Sequence, residues 1–425
     1  MNIVMLTNTF TPHIGGVARS VEAFTAEYRR RGHRVLVVAP EFPDMPQDEI
    51  DVVRIPAIQN FNGSDFSVVL PVSGLLTVVL DEFAPDIIHA HHPYLLGVTA
   101  LRVARYRSLP LVFTHHTLYE EYTHYVPGDA PKLRRFIIEA AIRYANLSDQ
   151  VFVPSKSIMT LLRDRGVETP ITVVPTGVQA EHFAQGNGGR FRVAMGIPED
   201  AFVVGHLGRL APEKNLEFLA EAAVAFLKTT SRAHFLVIGT GPSERTIREI
   251  FSREGLQARL HMASVLEHEQ LADALHAMNL FAFASKSETQ GMVLTEAMAA
   301  GLPVVALDAR GVREVVRDYK NGRLLHGESI KAMVAAMQWV AGLPANQYRE
   351  LERAALDTAE AFSMSHSADK ALACYANLRN RISVDRSDEE EHWHHLLDLI
   401  KVEWEILKGI GSATDAALGA DDETG

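Results

Sequence analysis

An α/β architecture with two doubly wound parallel sheets is predicted for this chain by three observations. Short β-branched runs alternate with helix-like stretches, the alternation stops and begins again near the middle, and the loops densest in glycine and charge directly follow strand-like runs. The length of 425 residues accommodates two domains at the usual size of about 150 residues, with a remainder.

In the first half, strands are expected at Asn2–Leu6, Arg34–Ala39, Asp86–His89, Leu111–Phe113 and Gln150–Pro154, with helices over Val17–Arg31 and Lys132–Ala145 between them. Runs of Val, Ile and Phe separated by helical periodicity are the pattern of βαβ units. The second series is Phe202–His206, His234–Ile238, Leu280–Phe283 and Pro303–Ala306. The expected organisation is therefore a first unit over residues 1–175 and a second over 176–362, with a hinge near Pro175-Thr-Gly-Val178. A helix over 363–380, seen in the stretch Ser365–Arg379, is expected to close the second unit, and residues 381–425 form a tail. Ligands of open α/β sheets bind beyond the carboxyl ends of the strands, so the site is expected in a cleft between the two domains.

The net charge of -12 is concentrated at the end of the chain, because residues 381–425 hold 12 acids against 4 bases. What precedes them carries only -4, without the basic excess of a nucleic-acid binder. Within the tail, Trp393, Leu396, Leu397, Ile400, Trp404 and Leu407 recur at helical spacing, and the final Gly-Ala-Asp-Asp-Glu-Thr-Gly is too polar to pack. The single cysteine, Cys374, excludes an internal disulfide or a cysteine-rich metal centre and suits a reducing compartment. Ile3 to Leu6 is too short for a signal peptide and reads as a buried strand. The apolar run Val68–Leu80 is interrupted by Pro71, Ser73, Gly74 and Thr77 and falls short of the ~20 residues that span a bilayer.

The strongest chemical signal is Ser287-Glu-Thr-Gln-Gly-Met-Val-Leu-Thr-Glu296, directly after a strand. Glu288 is expected in the loop and Glu296 in the first turns of the following helix. Between them Gly291, Met292 and Val293 present amides at a helix N-terminus, a natural seat for a diphosphate. Carboxylates beside an anion make sense when the ligand also offers hydroxyl donors, as a sugar and a ribose do. A second signal is Gly205-His-Leu-Gly-Arg-Leu-Ala-Pro-Glu-Lys-Asn215, where Arg209 and Lys214 flank a loop able to aim two cations at phosphates. No Asp-x-Asp occurs, so these cations stand where a metal would otherwise serve. Gly15 and Gly16, after the first strand, allow a ligand to approach the backbone. The histidine-rich Phe113-Thr-His-His-Thr117 and its continuation to Tyr125 match no metal-hydrolase spacing. Neither a metal nor a cofactor is called for.

Together these segments resemble glycosyltransferase family four, over roughly residues 1–380. Glu288 to Glu296 is similar to that family's Glu-x7-Glu motif, Gly208-Arg209 to Lys214 to its diphosphate loop, and Gly15-Gly16 to its amino-terminal glycine loop. The resemblance implies a GT-B fold of two Rossmann-like domains and retaining, metal-independent transfer of a hexose from a nucleotide-diphosphate sugar, UDP-hexose being the expected donor. It also implies that Glu288 meets the donor sugar, Glu296 the ribose, and His116, in Thr-His-His-Thr, the reacting face. Where the family commonly has glycine in the loop holding the base, this chain has Ser264.

The segment His116–Tyr125, with Ser155-Lys-Ser and Val174-Pro-Thr-Gly-Val178, looks like the branch that glucosylates diacylglycerol. Tyr119, His124 and Tyr125 are the acceptor candidates. Lys132, Arg134 and Arg135, followed by Phe136, Ile137 and Ile138, are the candidate face for an anionic membrane. The expected setting is cytoplasmic, peripheral on the inner face of the cell membrane. A soluble sugar or sugar-phosphate acceptor is the alternative, and a non-catalytic nucleotide-sugar-binding protein is an alternative of another class.

Overall fold

The computed structural model of the protein describes residues 1–13, 15–58, 68–69, 74–118, 131–266 and 268–385. The chain forms two compact units, Met1–Thr176 together with the chain from Ser367 on, and Gly177–His366. The crossing from one to the other falls within the Pro175–Val178 segment.

The first unit runs β1 (Asn2–Leu6), α1 (Gly16–Arg30), β2 (Arg34–Pro40), β3 (Val52–Ile55), β4 (Ala57–Ile58), β5 (Val68–Val69), α2 (Gly74–Phe83), β6 (Ile87–Ala90), α3 (Leu96–Tyr106), β7 (Leu111–Thr114), α4 (Pro131–Asn146), β8 (Gln150–Val153), α5 (Lys156–Asp164) and β9 (Ile171–Val173). Seven of these strands make a parallel sheet in the order β3-β2-β1-β6-β7-β8-β9, while β4 and β5 form a small antiparallel pair. Strand β1 is central, and Ile3, Val4, Met5 and Leu6 are buried on both faces. That explains an unbroken apolar run where a half-exposed strand would alternate. Helix α5 starts on Ser155, whose Oγ accepts from the Ile158 amide at 3.3 Å.

The second unit runs α6 (Ala180–Phe183), α7 (Gly188–Met195), β10 (Phe202–Leu207), α8 (Leu216–Thr229), β11 (Ala233–Ile238), α9 (Glu244–Arg253), β12 (Leu260–Ala263), α10 (His268–His276), β13 (Leu280–Phe283), α11 (Met292–Ala299), β14 (Val304–Leu307), α12 (Val312–Val315), β15 (Gly322–Leu325), α13 (Ile330–Ala341) and α14 (Ala345–Ala361). Its six parallel strands are ordered β12-β11-β10-β13-β14-β15. Two apolar cores cover the sheet, one around Phe281, Phe283, Leu294 and Met298, the other around Phe226, Phe235 and Phe251.

Both sheets are doubly wound, as the sequence predicts. The strands it did not announce are β3, β9, β12 and β15, the edges of the sheets, besides the small β4–β5 pair. Helix α15 (Met364–Asp385) also departs from expectation. It was expected to close the second unit, yet from Ser367 on it belongs to the first. Tyr375 explains this: its ring is fully buried, lies 5.8 Å from that of Tyr28 on α1, and its hydroxyl reaches His89 on β6.

Candidate active site

In an open parallel sheet, the loops leaving two adjacent strands part where the winding reverses, and ligands bind in that opening. In the second unit the reversal lies between β10 and β13, which pair Val204 with Leu280 and Gly205 with Phe281. The loop after β10 carries Arg209 and Lys214, the latter in a single 3-10 turn, Pro212–Lys214, before α8. The loop after β13 carries Glu288 and leads to α11. The two loops meet, because Lys214 Nζ donates to Glu288 Oε1 at 2.6 Å. Arg209 has a carboxylate as well: its guanidinium donates to Glu213.

Gly291 caps α11 with φ 76° and ψ 59°, a conformation that side chains disfavour. Met292 and Val293 then open the helix, where amides have no acceptor within the helix itself. The Glu288 loop is fixed from behind: the Gly311 amide donates to the Glu288 carbonyl at 2.9 Å, and a Cβ on Gly311 would stand 2.3 Å from the Gln290 nitrogen. Glu296, in the second turn of α11, is 5% exposed. Beneath the loops, His206 donates from Nδ1 to the Ala282 carbonyl at 3.1 Å, and burial pushes its pKa down to about 4. A neutral imidazole there adds no charge against Lys214.

In the first unit the reversal lies between β1 and β6, whose Leu6 and Ala90 are paired. Asn8, just past β1, ties the opening together: its amide nitrogen donates to His92 Nδ1 at 3.1 Å, its side chain donates to the Tyr94 carbonyl, and its Oδ1 accepts from the Leu96 amide. Gly15 has φ -164°, ordinary extended backbone, and a Cβ on Gly16 would meet nothing within 4 Å. A Cβ on Gly15 would stand 3.1 Å from His13 Nε2, a tight contact with a side chain, so open space at the start of α1 is found at Gly16.

Histidines converge on the same edge. His91 Nδ1 lies 2.9 Å from His116 Nε2, and His89 Nε2 lies 2.6 Å from Thr114 Oγ1. On its other side His89 Nδ1 meets the Tyr375 hydroxyl at 2.7 Å, and Tyr28 donates to that hydroxyl at 3.4 Å. Burial and the neighbouring rings hold all of these imidazoles neutral, with His89 and His92 lowered to about 3 and His91 and His116 well below the ordinary value of 6.5. A small cavity lies beneath His116, edged by Ser20, Tyr28, His89, Thr114 and Thr176. His115, next in sequence, is 2% exposed, with its ring edge-on to Phe113.

The structure thus joins Lys214 to Glu288 across one opening and brings His116 onto a histidine cluster at the other. Tyr119, His124 and Tyr125 lie outside the described residues, as does the tail helix with Trp393 and Trp404. Lys132 lies in α4, where Arg134 and Arg135 are exposed and Phe136, Ile137 and Ile138 are half-buried. Sequence reasoning missed Glu213, His89, His91 and Tyr375. For the two histidines a signal existed, since His89-Ala-His-His92 ends a strand, the position from which side chains reach a ligand. Among the described residues no three His, Cys, Asp or Glu side chains form a metal-ligand set, and no helix is long and apolar enough to cross a membrane.

Comparison with known proteins identifies the family. Residues 14–182 match the family described as Glycosyltransferase Family 4, and residues 189–357 match Glycosyl transferases group 1. The chain is 30% identical over 404 residues to D-inositol 3-phosphate glycosyltransferase 1 of Catenulispora acidiphila, covering 88% of this chain and 94% of that one. It is 27% identical over 335 residues to the alpha-monoglucosyldiacylglycerol synthase of Streptococcus pneumoniae, covering 77% and 76%. Among solved structures, HepE of Anabaena in complex with UDP-glucose superimposes with a TM-score of 0.69 at 21% identity, over 88% of this chain and 99% of that one. The fold is GT-B, and the chain belongs to glycosyltransferase family four as a hexosyltransferase of that type.

Proposed function

We propose that the protein transfers a hexose from a nucleotide-diphosphate sugar, UDP-hexose, to a hydroxyl of a diacylglycerol-type lipid, with retention and without a catalytic metal. The observation that carries the donor half is the Lys214–Glu288 contact of 2.6 Å at the switch point of the second sheet. It joins a cation suited to a diphosphate with a carboxylate suited to sugar hydroxyls, beside the amides that open α11. Arg209 and Lys214 stabilise the charge that develops on the leaving diphosphate, a role a metal ion fills elsewhere. Glu288 orients the sugar and Glu296 the ribose.

Retention follows from a front-face reaction. The bond from the anomeric carbon to the diphosphate oxygen breaks, the acceptor oxygen bonds to the same face, and the acceptor proton passes to the leaving diphosphate. No protein nucleophile takes part. His116 positions sugar and acceptor hydroxyls.

The lipid acceptor is supported by the likeness to the pneumococcal synthase, whose name specifies a glucosyldiacylglycerol, and by the exposed Arg134 and Arg135 beside half-buried apolar residues on α4. Such a protein would work peripherally on the cytoplasmic face of the membrane. The inositol-phosphate relative favours a second acceptor class, a soluble sugar phosphate. Incubating the purified protein with labelled UDP- and GDP-hexoses and either diacylglycerol vesicles or inositol phosphate tests both. Labelled glycolipid with an α linkage, formed in the presence of a chelator, is the expected product. Transfer to the soluble acceptor alone overturns the lipid reading, and absence of transfer from every nucleotide sugar overturns the donor reading.

A further inference from the structure

We propose that His91 is a positioning residue that fixes the tautomer of His116, so that His116 carries its proton on Nδ1 and serves as a hydrogen-bond donor, not as a base through Nε2. The inference rests on the reading that His116 takes part in transfer.

The geometry of the pair is that of a hydrogen bond in the ring plane. His91 Nδ1 and His116 Nε2 are 2.9 Å apart, while the ring centroids are 5.2 Å apart and the planes differ by 25°. The rings meet edge to edge, and one proton lies between the two nitrogens. Either His91 donates it or His116 does.

The far side of His91 decides between the two. His91 is 1% exposed, and its Nε2 has no hydrogen-bond partner among the described residues. If His116 donated, the remaining proton of neutral His91 would sit on Nε2, a buried N–H with no acceptor. Among backbone groups, orphaned buried N–H donors are rarer than under-satisfied acceptors, and the same preference is taken to hold for the ring. With the proton on His91 Nδ1, the far nitrogen bears only a lone pair. His116 Nε2 is then the acceptor, and the proton of its own neutral ring must sit on Nδ1.

Adding a proton so that both rings donate is opposed by the packing. The His89 ring lies 4.2 Å from that of His91, and burial disfavours a cation in any of the three. With its Nε2 lone pair engaged, His116 cannot collect the acceptor proton there. That proton goes to the leaving diphosphate, as the front-face reaction requires.

The test uses full-length protein with 15N-labelled histidine. Long-range proton–nitrogen spectra report which ring nitrogen bears the proton, and His116→Gln assigns the resonances of His116. The expected result is a His116 protonated on Nδ1. His91→Asn keeps a donor N–H near the position of Nδ1, and should retain that tautomer and turnover within a few-fold. His91→Phe keeps a flat ring without a donor. It should release the tautomer and lower kcat by about 10²-fold, the scale of a misplaced catalytic group, with the KM for the nucleotide sugar unchanged. An Nε2-protonated His116 in the wild-type protein overturns the proposal, and that spectrum stands even if His91→Phe does not fold. Equal kcat in the Phe and wild-type proteins also overturns it. Unchanged turnover in His116→Ala would instead remove the assigned role of His116 in transfer, leaving the tautomer to be read independently.

Discussion

Lys214 and Glu288 arise 74 positions apart, on loops that leave two adjacent strands, and their side chains close to 2.6 Å. The lysine is 20% exposed and the carboxylate 13%, so the pair is shielded from bulk water and sensitive to the loss of either member. A diphosphate entering here competes with Glu288 for the ammonium, and sugar hydroxyls compete with the ammonium for Glu288. On the proposed function, the pair would mark the point where a leaving group and a sugar meet.

The first prediction concerns this pair. Lys214→Ala should lower kcat by about 10²–10³-fold, the usual cost of losing one group that stabilises developing charge. Arg209→Ala should fall in the same range. Chelation of divalent metal should leave the wild-type rate unchanged. Steady-state kinetics with and without chelator reads all three, and a wild-type rate restored only by added magnesium would contradict the assignment.

The second prediction separates the two carboxylates. Glu288→Gln should impair transfer more than nucleotide affinity, if its contact is with the transferred sugar as proposed. Glu296→Gln should chiefly weaken nucleotide binding. Calorimetric titration with free UDP distinguishes them, and an equal loss of affinity in both variants would refute the division of roles.

How much of this was legible in the sequence depends on how local the signal is. Central strands such as β1 and β13 are buried on both faces and announce themselves as unbroken apolar runs. The edges β3, β9, β12 and β15 are mostly half-exposed, and their short mixed sequences, such as Gly322-Arg-Leu-Leu325, give little periodicity. Glu288, Glu296, Arg209 and Lys214 could be put forward from the sequence as candidates because each lies in a contiguous loop-and-helix motif. The partners of His116 and His89 were not. His91 is 25 positions from His116 and is brought to it by the pairing of β6 with β7, while Tyr375 is 286 positions from His89 and arrives on a helix whose unit the sequence misassigned.

The third prediction follows from the neutral histidines. The pKa of His89 and that of His92 drop from 6.5 to about 3 on folding. Between those values the unfolded chain binds more protons than the folded one, so stability falls as pH falls from 6.5 toward 3. Each group contributes roughly 1 kcal/mol per pH unit inside that window, and nothing above it. The thermal midpoint should be nearly flat from pH 7 to 8 and drop steeply below 6. A midpoint as high at pH 4.5 as at pH 7 would show that these rings do not stay neutral in the fold.

The fourth prediction tests the docking of the C-terminal helix. Tyr375→Phe removes the hydroxyl that meets His89 Nδ1 at 2.7 Å and accepts from Tyr28 at 3.4 Å. Two buried polar groups then lose a partner, for a cost of about 1–3 kcal/mol each at most. Denaturant unfolding should show a lower midpoint with an unchanged slope. Equal midpoints for the two proteins would mean that the tyrosine pair does not hold the helix to the first unit.

The last prediction concerns the membrane. On the lipid-acceptor reading, the acceptor is met at the bilayer surface; no helix among the described residues is long and apolar enough to cross a membrane. On α4, Arg134 and Arg135 are exposed, Lys132 lies in the same first turns, and the half-buried Phe136, Ile137 and Ile138 follow directly. This combination of charge and apolar surface suits an anionic interface, where each basic residue is worth roughly 1 kcal/mol. Reversing Lys132, Arg134 and Arg135 to Glu should therefore lower vesicle binding by about two orders of magnitude or more at modest salt. By its charge the tail should oppose adsorption, because residues 381–425 hold 12 acids against 4 bases. Truncation after Arg381 should accordingly raise binding to anionic vesicles and leave binding to neutral ones unchanged, unless the Trp393, Ile400 and Trp404 stripe itself enters lipid, in which case truncation lowers both. Cosedimentation of the three proteins with phosphatidylglycerol and phosphatidylcholine vesicles makes the comparison. Equal binding by wild type and the charge reversal removes α4 as the membrane face, and a wild-type protein that stays in the supernatant with both vesicle types turns the acceptor toward the soluble sugar phosphate.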